Sequence, residues 1–258
     1  MERNKKYSFP AFCLGIAALL LFIQAGGSFH GNKIVFPDVR EIGEAFIRLL
    51  SQKETYEQIL TTLLHLVYAL ALSMAAGVLT GAAEGLSAWI YSGFKPFMIF
   101  VRSLPMIILV ILIMTVLPYE YVPVAAGAVV LLPLISEAVC EGIRSIEPEL
   151  TDVYRLNSGF NANVFCHVHL PLISGYLKQA FFNAAGTGLK VVVSAEYLVQ
   201  AKKSLGKAVY SSSYFLEYAE IYAYALIMVL LVLLVTELPF LFLRLRDKKN
   251  TFQQEPRG

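Results

Sequence analysis

Long apolar runs alternate with short polar segments along this chain of 258 residues. Each run is close to the length, about 20 residues, that an α-helix needs to cross the hydrocarbon core of a bilayer. The pattern therefore predicts an all-α integral membrane protein with about six transmembrane helices. The predicted spans are residues 8–25, 56–79, 94–117, 122–139, 172–199 and 221–243.

Small residues recur at every fourth position in two places, along the second span and again along the fifth. Such ridges let a neighbouring helix approach closely. We therefore expect both helices to be packed against other helices rather than surrounded by lipid. The ridges are Ser73, Gly77, Gly81 and Gly85, and then Ala180, Ala184 and Gly188.

Two polar segments outside the spans have a predicted form of their own. Residues 36–53 place apolar side chains on one helical face after Asp38, a residue type that caps helix N-termini. We expect an amphipathic helix there, lying either in the membrane interface or on the surface of the protein. Residues 200–217 are rich in serine and tyrosine, and we expect them to form an outer loop.

Residues 142–171 form the longest polar interruption between two apolar runs. Pro148 suits the first position of a helix, and residues 157–159 break it. Asn161 suits the cap of a second short helix, which we expect Pro171 to end. Apolar positions share one face of each helix: Leu150, Val153 and Leu156 in the first, and Val164, Phe165 and Val168 in the second. The segment is therefore predicted to form two short amphipathic helices at a membrane surface.

Three charged residues within the predicted spans are candidates for a solute path: Arg102, Lys190 and Glu196. A charge inside the bilayer is costly unless it is paired or in contact with water. Lys190 and Glu196 lie six residues apart and do not share a helix face, so each needs another partner. Pairing between helices is the alternative for these two, and extension to the cytoplasmic interface is the alternative for Arg102. Pro105 is expected to kink the third span because proline removes a backbone donor.

Basic residues at both chain ends set the predicted orientation. Arg3, Lys5 and Lys6 precede the first span, and residues 244–249 carry four more. The positive-inside rule then places both termini in the cytoplasm. An even number of spans follows, with residues 142–171 on the cytoplasmic side. A cleaved signal peptide is the alternative for the first run, which we expect to be retained.

Composition supports a membrane protein and gives no sign of an enzyme. Hydrophobic residues make up 57% of the chain and charged residues only 16%. No phosphate-binding G-x-x-x-x-G-K-[ST], H-E-x-x-H or G-x-S-x-G motif is present, so we expect no catalytic activity and no cofactor. His167 and His169 have no third ligand nearby, and Cys13, Cys140 and Cys166 are widely spaced, so we expect no metal site or disulfide framework.

Residues 152–171 resemble the cytoplasmic loop of binding-protein-dependent ATP-binding-cassette importer permeases, written E-A-A-x3-G-x9-I-x-L-P. The aligned positions are Asp152, Val153 and Tyr154 for E-A-A, Ser158 for Gly, Val168 for Ile, and Leu170 and Pro171 for the final pair. The spacing and the final pair match, while the Ala and Gly positions differ. Residues 142–148 and the Arg102-x-x-Pro105 sequence are similar to the nitrate, sulfonate and taurine branch of these permeases.

This resemblance implies a permease subunit of the bacterial inner membrane, with residues 145–169 coupling it to separate ABC ATPase subunits. It further implies a solute-binding protein and a second permease copy, identical or closely related, as partners. Arg155 and Asp152 are the expected polar contacts, and Gly159 is expected to form the turn in place of Ser158. The chain divides into an N-terminal transmembrane helix, 1–28; an external loop with the amphipathic helix, 29–55; the permease core, 56–246, containing the coupling loop 142–171; and a cytoplasmic tail, 247–258.

The branch resemblance implies a small anionic solute such as nitrate, a sulfonate or taurine. A secondary transporter driven by an ion gradient is the alternative. Such a transporter would show internal repeats and broken helices in matching places. No convincing repeat relates the first three predicted spans to the last three.

Overall fold

The structure, a computed structural model, describes residues 37–147 and 165–252, and every regular element in these two stretches is helical. A π-helical turn, Phe165–His169, and one helical turn, Leu170–Leu172, precede the sixth of the eight helices that we number. The numbered helices are α1 Val39–Ser51, α2 Lys53–Leu86, α3 Ala88–Ser103, α4 Met106–Met114, α5 Val122–Arg144, α6 Ser174–Val199, α7 Leu205–Tyr214 and α8 Tyr218–Phe252. The predicted first span, the cleavage alternative, the first short helix of the predicted coupling loop and the start of the second lie outside the described residues. The described end of the second short helix is the π-helical turn Phe165–His169.

Three helices of the described residues are long and apolar enough to cross a membrane: α2, α5 and the Tyr218–Thr236 part of α8. The pair α3 and α4 would be a fourth span if its two parts count as one. Helix α6 has 26 residues and is long enough, but it does not reach the same apolarity. The all-helical membrane fold is therefore supported, and the count of six spans stays a prediction.

Close packing of α2 on α5 forms the centre of the fold, and it confirms the role of the first small-residue ridge. A Cβ added at Gly77 would lie 2.8 Å from the Cβ of Ile135. One added at Gly81 would meet the backbone carbonyl of Ser136, and one at Gly85 would lie 2.9 Å from the Cβ of Ile143. The two backbones approach so closely that side chains have no room between them.

The second ridge packs in the same way and brings α6 onto α2 and α5. A Cβ at Gly188 would lie 2.8 Å from Leu66 and 2.9 Å from Leu131. Ala180 and Ala184 are buried on the same side of α6. Helix α6 is therefore central, as the ridge predicted.

The third predicted span is broken rather than merely kinked. Helix α3 ends at Ser103, α4 begins at Met106, and the two helices are bent by 102°. The break falls at Pro105, as predicted, because its ring excludes a helical hydrogen bond there. Pro96, by contrast, lies within α3 without ending it.

Both polar segments outside the predicted spans contain a helix that packs on the bundle. Residues 200–217, expected to form a loop, contain α7, which Ser204 caps by accepting from the Lys207 N–H at 3.2 Å. The prediction of a loop was therefore wrong for most of this segment. The amphipathic helix α1 is confirmed, with Asp38 at its N-cap. Its apolar face, which includes the buried Leu49, packs on α8, and its position relative to the membrane interface stays a prediction.

Candidate functional site

The two ends of the predicted coupling loop lie directly against each other. Gly142, near the end of α5, would place a Cβ only 3.1 Å from the Cβ of Ile173, which precedes α6 and is 1% exposed. The end of α5 and the start of α6 are therefore in contact. Residues 148–164 between these ends lie outside the described residues, so their helices stay a prediction.

Some of the predicted coupling residues lie outside the described residues, and others lie in the helical turns before α6. Asp152, Val153, Tyr154, Arg155, Ser158 and Gly159 lie outside the described residues. Val168 and Leu170 are half-buried and Pro171 is exposed, all in the helical turns before α6. Pro171 does not end the helical conformation, contrary to expectation. It occupies an early position of the turn Leu170–Leu172, where its missing N–H costs no hydrogen bond.

A cluster of charged side chains lines a cavity of about 180 Å³ beside the base of this loop. Arg144, the last residue of α5, donates to the backbone carbonyl of Glu84 at 3.2 Å and lies 4.0 Å from the ring centre of Tyr91. The buried carboxylate of Glu84 accepts from Ser136 at 3.3 Å. These contacts join the C-terminal ends of α2 and α5 to the N-terminal part of α3, where the predicted coupling loop begins.

Arg102 belongs to the same cluster. Its guanidinium pairs with the carboxylate of Glu137 and donates to the backbone carbonyl of Pro133 at 2.9 Å. The Arg102 charge is therefore compensated within the chain. Sequence reasoning did not pair these two residues, which lie 35 positions apart on different helices.

Lys190 lies on the exposed side of α6, at the border of two cavities. One cavity is shared with α3 to α5 and contains Arg102 and Glu137, and the other lies against α8. Val130 and Leu134, from the middle of α5, line the first cavity, so Lys190 lies level with the middle of that helix. Within the described residues its ammonium group has no ion-pair or hydrogen-bond partner.

Glu196 lies on the opposite side of α6 and is fully buried. Its carboxylate accepts from Thr62 Oγ1 at 2.8 Å and from the Gly206 N–H at 3.1 Å, and lies 2.7 Å from His65 Nδ1. The N-terminus of α7 thus points at a carboxylate, an arrangement that the helix dipole favours. These contacts agree with the interhelical-pairing alternative; the role of Glu196 in a path stays a prediction.

A family model described as "Binding-protein-dependent transport system inner membrane component" matches residues 73–251, more than two thirds of the chain. The chain belongs to this family. It is therefore an inner-membrane permease component of a transport system, as the resemblance predicted. No curated protein matches the chain in sequence.

The matched region of the permease runs from the middle of α2 through α8, so it contains the coupling-loop base, the charged cluster and all three candidate path residues. Helix α1 lies outside it. The match does not distinguish the nitrate, sulfonate and taurine branch from others, and that assignment stays a prediction.

The permease also contains functional candidates that sequence reasoning missed. Thr62 and His65 form the Glu196 network from α2, yet neither belongs to a recognisable motif. The only available signal was that an intramembrane carboxylate requires donors. Gly206 lies so close to α6 that an added Cβ would meet Glu196 Cβ and the backbone of Val193. Its lack of a side chain allows α7 to contact α6 at this point.

Proposed function

We propose that this permease is the membrane subunit of an ATP-driven importer and that residues 145–169 couple it to a separate ATPase. The observation that carries the proposal is the position of the loop base within a chain of this family. Because Gly142 and Ile173 are in contact, a force applied to the loop would act on α5 and α6 together. Both helices pack on α2 in the centre of the fold, so the force would move the transport domain as a unit.

Two permease copies, identical or closely related, would enclose the solute path. A single set of these helices leaves polar residues of α6 exposed that lipid cannot satisfy. A solute-binding protein would deliver solute at the outer face, and ATP hydrolysis would take place in the partner subunit rather than in this chain. Both termini would lie in the cytoplasm.

The solute proposed is a small anion of the nitrate, sulfonate or taurine type. The resemblance of residues 142–148 to that branch supports it, as does the charge of Lys190, which has no ion-pair partner among the described residues that line its two cavities.

Co-purification and ATP-dependent transport test the proposal together. An ATPase subunit is expected to accompany the full-length permease in mild detergent. Proteoliposomes containing the permease, the ATPase and the binding protein should take up radiolabelled taurine or nitrate only when ATP reaches the ATPase. Uptake by the permease alone, driven by an ion gradient, would overturn the proposal and support a secondary transporter.

Replacing Gly159 with valine is expected to abolish ATP-dependent uptake while leaving membrane insertion intact. The turn proposed at this position requires a backbone conformation that a β-branched residue adopts poorly. Gly175→Val is the matched control, because Gly175 has open space around it at the start of α6. Full uptake by the Gly159→Val variant would contradict a turn of this kind at the coupling loop.

A further inference from the structure

Helix α6 carries a continuous polar stripe on its exposed side. The stripe residues follow one another at intervals of four, four, three and four, which is the spacing of a single helical face. All five side chains are exposed in the folded chain. They are Gln179, Asn183, Thr187, Lys190 and Ser194.

Lipid is a poor neighbour for this stripe. Amide, hydroxyl and ammonium groups find no partners in hydrocarbon, and the stripe extends over about four helical turns. The opposite side of α6 carries the small-residue ridge and packs against α2 and α5. The helix is therefore amphipathic within the membrane, with its polar side turned away from the bundle.

The cavities beside the stripe have room for a small solute. The one shared with α3 to α5 has a volume of about 530 Å³, and the one against α8 has about 450 Å³. Thr187 and Lys190 line both. The two cavities, which share these two lining residues of the stripe, are together called the α6 groove.

The charges that face this groove sum to a positive value. Arg102 and Glu137 compensate each other, which leaves Lys190 as the one uncompensated charge among the described residues that line the two cavities. Glu196 does not offset it, because that carboxylate lies on the far side of α6 in its own network. The remaining stripe residues are neutral. Gln179, Asn183 and Thr187 can donate hydrogen bonds, whereas the Ser194 hydroxyl donates to the Lys190 backbone carbonyl at 2.8 Å.

We infer that the polar stripe lines the aqueous solute path and that Lys190 is the counter-charge for a small monovalent oxyanion. This inference rests on the proposed function, since it assigns the solute-facing wall of the same permease. The neutral donors would replace part of the hydration shell of the anion, and the ammonium group would offset its charge. Specificity for anions over cations would then reside in one side chain of each copy.

Cysteine labelling tests this inference without knowledge of the solute. In a background with Cys13, Cys140 and Cys166 replaced by alanine, Ser194→Cys is a nearly isosteric change four residues from Lys190. Full-length permease in membrane vesicles would be treated with an anionic methanethiosulfonate reagent, carrying a sulfonate, and with a cationic one, carrying a trimethylammonium group. Val229→Cys is the lipid-facing control, because Val229 is an exposed apolar residue midway along the span of α8.

We expect both reagents to label Ser194→Cys, the anionic one preferentially, and neither to label Val229→Cys. Adding Lys190→Met should lower the anionic-to-cationic rate ratio roughly tenfold, the effect of removing one charge about 6 Å away in water. Lys190→Arg should preserve the ratio. A Ser194→Cys variant that neither reagent labels would overturn the assignment of the path, and a ratio insensitive to Lys190→Met would overturn the role of Lys190.

Thr187→Cys provides a second readout if the Ser194 variant fails to insert. The labelling requires neither ATPase nor nucleotide, so its result is independent of co-purification. An ATPase bound to a permease with an unlabelled stripe would refute only this inference. A labelled stripe in a permease that recruits no ATPase would refute only the proposed function.

Discussion

Replacing Glu196 with alanine is expected to lower the free energy of unfolding by about 3–5 kcal/mol, the usual cost of removing one partner from a buried polar network. The change would leave the Gly206 N–H and His65 without their acceptor. It would also detach the N-terminus of α7 from α6. Denaturant or thermal unfolding of the purified permease in detergent measures the effect.

Two further variants make the Glu196 experiment specific. Glu120→Ala removes an exposed carboxylate near the same end of the bundle, beside the cavity that His65 lines, and should change stability by less than about 0.5 kcal/mol. Glu196→Gln keeps an oxygen for Thr62 and Gly206 and should lose less than the alanine variant. Equal stability of the Glu196→Ala and Glu120→Ala variants would mean that the network does not hold α7.

The Gly81→Ala variant is expected to be destabilised by about 2–3 kcal/mol, because its new methyl group would meet the Ser136 carbonyl. The sign of this stability change is informative, since replacing glycine with alanine at an uncrowded helix position normally stabilises a protein by about 0.5–1 kcal/mol. Gly93 provides that case: it lies in α3 with nothing within 4 Å of an added Cβ. Gly93→Ala should therefore be neutral or stabilising.

The opposed signs of the two glycine variants are measured by unfolding the permease in one detergent. Destabilisation of both variants to the same extent would indicate a general effect of helix composition. It would then count against close backbone contact between α2 and α5.

The parts of the fold that sequence predicted well depend on short repeating patterns. The spacing of Gly77, Gly81 and Gly85 predicted that another helix packs closely on α2, because small residues at this spacing let helix backbones approach each other in membranes. Pro105 predicted the break after α3 because proline disrupts the helix at its own position, whatever the neighbouring helices are. Such features need no knowledge of which helix is the partner.

The parts that sequence missed depend on which helices are neighbours. Glu196 and Thr62 are 134 residues apart, and Arg102 and Glu137 are 35 apart, so no periodicity joins them. Helix α7 was missed for a different reason. Its serines and tyrosines are weak helix formers, and its stability depends on the Ser204 cap and on tertiary contacts such as that with Glu196.

The Glu196 network has a consequence for how the permease would alternate between its two orientations. The Leu205 N–H donates to Thr62 Oγ1 at 3.0 Å and the Gly206 N–H donates to the Glu196 carboxylate. The N-terminus of α7 is therefore hydrogen-bonded to both α2 and α6. Lifting α7 as a lid would break both bonds in a buried place. If two copies enclose the path as proposed, outward opening is expected to rock one whole subunit against the other as a rigid body, with the hinge between subunits and not at α7.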